Sequence, residues 1–160
     1  MSVDNKPKKI ILHCSASDRT EDDNVSKLRI LHTCKKDRVV SWGVYKYINC
    51  FEWSYIGYHY FITRDGSCHD CRPIKVKPAG VYGHNTDTIQ ICLAGYKSFG
   101  QVQFRTLARV IKNLMEAFQA ITLNDIHGHN EFTDKKTCPE FDVKEFITRY
   151  LGGTNGNESN

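Results

Sequence analysis

A buried-strand pattern followed by a long amphipathic pattern constrains the fold of this chain more than any other feature. The stretch TIQICLAG at residues 88–95 is almost continuously apolar, which predicts a buried β-strand. Beyond it, apolar residues recur at the helical spacing of about 3.6 residues, at Leu107, Val110, Ile111, Leu114 and Phe118. A buried strand and a one-sided helix pack as layers, so the pair predicts helices lying on a β-sheet.

Other segments add strands to this sheet. The Asp65-Gly66 pair predicts a hairpin turn between two of them. The aromatic-rich stretch 38–54 fits either a further hairpin or an irregular excursion. Besides residues 88–95, the predicted strands lie at residues 9–15, 56–67, 68–74 and 121–129.

Two further helices are predicted, one near each end of the chain. The first begins at Asn24, a good N-cap residue, and ends near Asp37. The second lies within residues 138–151 and places Phe141, Phe146 and Tyr150 on one face. The order of elements therefore predicts an α/β fold, with a mixed central β-sheet flanked by about three α-helices.

Length and hydropathy indicate one domain that is made in the cytoplasm. The chain has 160 residues, which fits a single domain. Its N-terminal apolar run, residues 10–12, is too short for a signal peptide, and no run approaches the ~20 residues needed to span a bilayer. We expect a flexible N-terminus over residues 1–8, a folded domain over residues 9–151 and a disordered tail over residues 152–160.

Cysteine count and net charge exclude some classes of protein. The chain has seven cysteines, an odd number, and no export signal, which argues for reduced thiols rather than a disulfide framework. Its net charge of +4 only weakly favours an anionic partner such as a cell wall. No basic tract is long enough to predict nucleic-acid binding. We expect a monomer that binds neither nucleic acid nor membrane.

Three residues from distant parts of the sequence could form a catalytic metal site. His13 ends the first predicted strand, His129 ends the last, and Cys138 follows nine residues later. Strand ends are where ligand sites form in such sheets, and a His2Cys set leaves the fourth position of a zinc ion open. His127 competes with His129, because residues two apart in a strand point the same way. Cys68 and Cys71 form a rival pair, although a single CxxC is weak evidence.

Several motifs together resemble a known family. The stretches ILHCSAS, GYHYFITRDG, GHN, TIQICLAG and GHNEFTDKKTCPEFD follow one another in the order seen in zinc-dependent N-acetylmuramoyl-L-alanine amidases of type 2. That family includes peptidoglycan-recognition proteins and the lysozyme-like amidases of bacteriophages, which are endolysins. The resemblance spans residues 9 to about 150 and is closest to the phage amidases. It implies the fold of the peptidoglycan-recognition proteins.

The resemblance also implies roles for individual residues. It implies one zinc ion (Zn²⁺) per chain, held by His13, His129 and Cys138, and it favours His129 over His127. Tyr58 matches an active-site tyrosine of the family, and Lys136 matches a catalytic lysine of its phage members. A core aromatic and a solvated lysine are the alternative interpretations, and Lys135 could replace Lys136 if the loop register shifts. His84 is assigned to substrate binding, with a loop-anchoring hydrogen bond as the alternative.

The function that the resemblance implies is hydrolysis of the amide between N-acetylmuramic acid and L-alanine in peptidoglycan. Such an enzyme would be made without a signal peptide and act on the cell wall after release or export. Three other functions stay open: a recognition module that binds muropeptides without cutting, a cytosolic muropeptide-recycling amidase, and a thiol enzyme with Cys14 or Cys138 as nucleophile. The last is disfavoured because Cys14, next to His13 in a strand, should face the other way.

Overall fold

The described part of the chain, in a computed structural model, forms a central five-stranded sheet with helices on both faces. The structure describes residues 4–18, 25–33, 40–42, 45–47 and 54–152. The elements of these residues are β1 (Lys9–Cys14), α1 (Val25–Thr33), β2 (Val40–Trp42), β3 (Tyr45–Tyr47), β4 (Tyr60–Ile62), β5 (Cys68–Asp70), β6 (Thr88–Leu93), α2 (Gln101–Ala117), β7 (Ile126–Gly128) and α3 (Val143–Phe146). Single turns of 3₁₀-helix cover Leu123–Asp125 and His129–Glu131, and a π-helical turn, Ile147–Leu151, extends α3.

The central sheet has five strands in the order β5-β4-β6-β1-β7. Strand β1 runs parallel to both β6 and β7, β4 runs parallel to β6, and β5 pairs antiparallel with β4. The sheet is therefore mixed, which confirms the predicted α/β fold with a mixed central sheet. Strands β2 and β3 form a separate antiparallel hairpin, which is one of the two alternatives left open for residues 38–54.

The two faces of the sheet bury different sets of side chains. Side chains alternate along a strand, so Ile89 and Ile91 of β6 point to one face while Gln90 and Cys92 point to the other. The first face packs against α2 and α3, with Leu107, Ile111, Leu114 and Phe146 among the buried residues. The second face packs against Tyr58 and α1 through Val25 and Leu28. His13 of β1 pairs with Cys92 in the strand register, so its side chain points to this second face.

Burial on both faces explains why β6 was recognisable from its sequence. All six of its residues are buried, so no position needs a polar side chain for solvent. Helix α2 follows Gly100, whose N–H donates to Gln103 Oε1, and the Gln103 amide donates to the carbonyl of Ala94 at 2.8 Å. These bonds connect the start of α2 to the end of β6. No helix of the described residues is long and apolar enough to cross a membrane.

Some predicted strands are shorter in the structure, one of them because polar side chains close a turn before it. The strand predicted at residues 121–129 is confined to Ile126–Gly128. Before it, the Thr122 hydroxyl accepts from the N–H of Asn124 and donates to the Asp125 carboxylate, which closes a 3₁₀ turn. The strand predicted at residues 56–67 is likewise reduced to Tyr60–Ile62.

The N-terminal segment docks against the sheet within its described part. Residues 1–8 are expected to be flexible, but the Asn5 amide donates to the carbonyls of Ile74 and Thr88 at 2.9 and 2.8 Å. The N–H of Lys8 also donates to Asp87 O at 2.8 Å. Three predictions fall on residues outside the described part: the Asn24 cap, the helix end near Asp37 and most of the tail at residues 152–160.

Candidate metal site

Three candidate ligands from distant parts of the chain meet at one end of the sheet. The possible ligand atoms of His13, His129 and Cys138 all lie within 4.8 Å of one another. His13 Nδ1 is 3.7 Å from Cys138 Sγ, and the rings of the two histidines are 4.8 Å apart. The carboxyl ends of β1 and β7 lie side by side because these strands are parallel neighbours. Sheet topology thus explains why His13 and His129 converge.

Backbone contacts hold Cys138 in this position. Its carbonyl accepts the N–H of Asn130 at 2.8 Å, and its Sγ accepts the N–H of Cys14 at 3.2 Å. Close packing at Gly128 brings the two segments together, since a Cβ there would lie 2.8 Å from Pro139 Cδ. A side chain at residue 128 would therefore push the Cys138 loop away from the end of β7.

The pKa shifts of the three groups are compatible with metal binding. Burial, and then the nearby charge of His129, lowers the pKa of His13 to about 3. Burial and the charge of Lys136 lower the pKa of His129. The hydrogen bond with Cys14 and burial raise the pKa of the Cys138 thiol. Two neutral imidazoles can donate lone pairs, and a bound cation would displace the thiol proton.

The donor set and its spacing fit zinc. Tetrahedral zinc with Zn–N near 2.05 Å and Zn–S near 2.3 Å separates a nitrogen and a sulfur ligand by about 3.6 Å. His13 Nδ1 and Cys138 Sγ stand 3.7 Å apart. Three ligands leave one tetrahedral corner for solvent or substrate, as catalytic zinc sites do.

The structure separates His127 from this cluster. Its Nδ1 bonds to Glu131 Oε2 at 2.9 Å, while Glu131 Oε1 accepts the N–H of Gly128 at 2.8 Å. The expectation that His127 and His129 point the same way was wrong, because β7 ends at Gly128 and a 3₁₀ turn starts at His129.

The structure also describes the rival pair, Cys68 and Cys71, and the neighbouring Cys14. Cys68 is exposed and Cys71 is buried, and burial raises the pKa of both thiols to about 11. Among the described residues, only His13, His129 and Cys138 form a group able to hold a metal. Cys14, at the end of β1, contacts Cys138 through its backbone, since its N–H donates to Cys138 Sγ at 3.2 Å.

Tyr58 lies next to the cluster. Its ring is 4.9 Å from the ring of His13 and 5.9 Å from that of His32. His32 on α1 accepts the N–H of Gly57 at 3.1 Å, which fixes the segment that carries Tyr58. Burial raises the pKa of the Tyr58 hydroxyl well above its ordinary value, so it keeps its proton and can donate a hydrogen bond.

Lys136 and His84 lie on exposed segments. Lys136 is exposed, and its ammonium is close enough to lower the pKa of His129. His84 is exposed and packs on Phe132, with ring centroids 4.9 Å apart. His84 and Phe132 line a cavity of about 280 Å³ together with Lys9 and Thr86.

Sequence reasoning missed two residues that support the cluster. One is His32, whose contact with Gly57 carries no signal in the helical pattern of α1. The other is Gln90, whose Oε1 lies 3.1 Å from His13 Nε2. Gln90 is fully buried. A buried amide inside an otherwise apolar strand was the available signal, because such a group needs hydrogen-bond partners.

Comparison with known proteins gives consistent matches along most of the chain. The endolysin of Escherichia phage T7 is 26% identical over 145 residues, which cover 86% of this chain and 83% of that protein. The solved amidase LysCS, an endolysin from Clostridium intestinale, superposes with a TM-score of 0.73 at 22% identity, over 92% of this chain and 86% of the other. Drosophila peptidoglycan recognition protein SD superposes with a TM-score of 0.71 at 14% identity, over 96% and 86%.

The predicted resemblance in fold to peptidoglycan-recognition proteins and phage amidases is thus confirmed. The sequence model of a family described as N-acetylmuramoyl-L-alanine amidase matches residues 3–141. That range includes β1, β6 and β7 together with all three residues of the candidate metal site. Since the match covers most of the 160 residues, the chain belongs to the N-acetylmuramoyl-L-alanine amidase family.

Proposed function

We propose that this amidase is a zinc-dependent endolysin of the phage type, which hydrolyses the bond between N-acetylmuramic acid and L-alanine in peptidoglycan. The observation that carries the proposal is the meeting of two imidazoles and one thiol within 4.8 Å. The phage relatives named endolysins support the biological setting. In that setting the chain is made in the cytoplasm, acts on the cell wall after release, and works as a monomer on peptidoglycan.

His13, His129 and Cys138 would hold the zinc ion. When bound, zinc lowers the pKa of a coordinated water molecule and polarises the carbonyl of the scissile amide. The protein contributes the orientation of the ligands. His13 is fixed by the hydrogen bond to Gln90, and Cys138 by the N–H of Cys14.

Tyr58 and Lys136 would stabilise the negative charge that develops on the carbonyl oxygen. The Tyr58 hydroxyl keeps its proton and can donate a hydrogen bond, and the Tyr58 ring is 4.9 Å from the ring of His13. The Lys136 side chain is exposed, and its charge contributes to the lowered pKa of His129. Loss of one such donor costs about 10²- to 10³-fold in rate. Tyr58, or a water molecule beside it, is also the proposed proton source for the leaving amine.

His84 would bind substrate rather than take part in the chemistry. Its imidazole is exposed on a cavity wall and packs on Phe132, three residues beyond His129. A flat, exposed ring next to a cavity can contact a sugar or a peptide stem while it keeps its packing against Phe132.

The replacement Cys138→Ser tests the proposal. We expect it to lower bound zinc and to reduce the release of L-alanine amino termini from purified peptidoglycan by at least about 100-fold, since a thiolate ligand is lost. Circular dichroism should show an intact fold. The exposed thiol of Cys68 gives a matched control, because Cys68→Ser should keep both zinc and activity.

Chelation separates zinc catalysis from thiol catalysis in the same assay. Removing the metal from the unmodified chain should abolish hydrolysis, and adding zinc back should restore it. Full activity of Cys138→Ser without bound zinc would refute the proposal. Activity that survives metal removal and is then lost with iodoacetamide would point to a thiol nucleophile instead.

A further inference from the structure

Gln90 is a buried amide whose hydrogen-bonding atoms are all used. It lies in the middle of β6 and has no exposed surface. Its Oε1 is 3.1 Å from His13 Nε2, and its Nε2 is 3.0 Å from Asn85 Oδ1 and 3.3 Å from Thr88 Oγ1. A buried amide is tolerated only when its groups are satisfied, so each of these contacts constrains the side chain.

The direction of every bond in this chain of contacts follows from one backbone group. The N–H of Val81 can only donate, and it donates to Asn85 Oδ1 at 2.8 Å. An acceptor oxygen therefore faces Gln90, so Gln90 must turn its NH₂ group to Asn85 and its Oε1 to His13. An amide oxygen only accepts, so His13 Nε2 must carry the hydrogen.

This assignment leaves His13 Nδ1 with a free lone pair. That atom is the one that faces Cys138 Sγ, at 3.7 Å. In the other tautomer, the hydrogen would sit on Nδ1 and point at the sulfur, while Nε2 would face an amide oxygen that cannot donate. Only one of the two neutral forms of His13 can bind a metal at this position.

The backbone of Gln90 is held as firmly as its side chain. Its N–H donates to His59 Nδ1 at 3.0 Å, and its carbonyl accepts the N–H of His59 at 2.9 Å. His59 Nε2 in turn bonds to the carbonyl of Val76 at 3.1 Å. These contacts leave Gln90 little freedom to move away from His13.

Gly80 makes room for the amide. A Cβ on Gly80 would overlap Gln90 Oε1 and would lie 3.0 Å from Tyr58 Cε1 and 3.1 Å from His13 Cε1. Gly80 does not have a positive φ. Space, rather than backbone conformation, therefore requires glycine at this position.

We propose that Gln90 is a positioning residue, which fixes His13 as the Nε2–H tautomer and so directs the lone pair of Nδ1 into the metal site, and that Gly80 is required for this contact. The inference rests on the proposed function only for the identity of the metal. Bonds of this kind behind a metal-binding histidine affect metal affinity by about 10- to 100-fold.

The first test does not need the metal. Long-range ¹H–¹⁵N NMR of the metal-free chain should show His13 protonated on Nε2 alone. In Gln90→Met, which keeps the bulk but loses the acceptor, we expect a mixture of both tautomers. Protonation of His13 on Nδ1 in the unmodified chain would overturn the proposal.

The second test measures zinc affinity by competition with a chromophoric chelator. We expect Gln90→Met and Gly80→Ala to bind zinc about 10- to 100-fold more weakly. Gln90→Glu, which retains an acceptor for His13, should bind more tightly than Gln90→Met. Gln103→Met is the matched control, because it also removes a buried amide but contacts Ala94 and Gly100 instead.

The outcomes are distinguishable from a failure of the proposed function. If the unmodified chain binds no zinc, the proposed function fails, while the tautomer measurement still decides the role of Gln90. If Gln90→Met and Gln103→Met lose equal stability in urea but both keep the zinc affinity of the unmodified chain, Gln90 is only a structural residue and the inference is wrong.

Discussion

At the scale of single residues, two adjacent lysines offer a sharp comparison. Lys135 and Lys136 are both exposed, and the ammonium of Lys136 lowers the pKa of His129. We expect Lys136→Met to reduce kcat for amide hydrolysis by about 10²-fold with little change in KM, because charge stabilisation acts mainly in the transition state. Steady-state kinetics on soluble muropeptides measure both constants.

Lys135→Met is the control, because it makes the same change one position earlier in the same loop. It should leave kcat within about twofold of the unmodified enzyme, in the range typical of surface substitutions. If Lys135→Met gave the larger loss instead, the loop register would be shifted, and Lys135 would take the role proposed for its neighbour.

The candidate site was predictable at this scale where residue chemistry and chain position agreed. His13 and His129 were singled out at predicted strand ends and Cys138 because it follows nine residues later, and all three carry atoms that zinc prefers; the family resemblance then favoured His129 over His127. Spacing could not decide between His127 and His129, since that choice depends on where β7 ends. Gln90 was not predicted, because its role depends on Asn85, five residues away, and on a gap at Gly80.

At the scale of elements, the cap of α3 stabilises the segment that follows Cys138. Asp142 Oδ1 accepts the N–H groups of Lys144 and Glu145 at 2.8 and 3.0 Å. We expect Asp142→Ala to lower the free energy of unfolding by about 1 kcal/mol, the usual value of a lost N-cap. Urea denaturation of the metal-free chain measures the change without a contribution from zinc.

Asp142→Asn separates the cap from a general effect of charge. Its amide oxygen can still accept both N–H groups, so most of the stability should be retained. If the Asn and Ala variants lose equal stability, the contribution comes from the negative charge near the helix start rather than from the hydrogen bonds.

Element prediction succeeded where burial dictates the pattern and failed where local polar bonds compete with it. Strand β6 and helix α2 were both predicted, because one is buried on both faces and the other on a single stripe. Residues 121–125 looked like the start of a strand, yet Thr122 and Asp125 close a turn there. A turn that depends on one hydrogen-bonded pair, Thr122 and Asp125, is difficult to predict from the sequence pattern.

At the scale of the whole molecule, buried neutral histidines make the fold sensitive to acid. Burial lowers the pKa of His32 and of His59 to about 4. Between pH 6.5 and 4 the unfolded chain binds protons at these residues while the folded chain does not, so stability falls as the pH decreases. Each histidine contributes up to about 1.4 kcal/mol per pH unit in this window.

Urea denaturation of the metal-free chain at pH 7, 6 and 5 tests this dependence. The variant His32→Asn keeps an acceptor for Gly57 but does not titrate, so its loss of stability with acid should be shallower. The exposed His84 gives the control, and His84→Ala should follow the slope of the unmodified chain. Identical slopes for all three proteins would contradict the prediction.

The general architecture was predictable, but the strand order was not. The succession of strand and helix patterns indicated a mixed sheet with helices, which the structure has. The order β5-β4-β6-β1-β7 places the first strand between the sixth and the seventh, a neighbourhood set by long-range packing. No local pattern in residues 9–14 indicates which strands will pair with β1.

The position of β1 between β6 and β7 affects when the site can form during synthesis of the enzyme. The sulfur at residue 138 and the imidazole at residue 13 are 125 positions apart in the chain, yet their atoms lie 3.7 Å apart in the folded protein. A growing polypeptide that already contains residue 13 therefore acquires the other two candidate ligands only when residues 129 and 138 have been added. Under the proposed function, a copy whose synthesis stops before residue 138 lacks a zinc ligand and should not cut peptidoglycan.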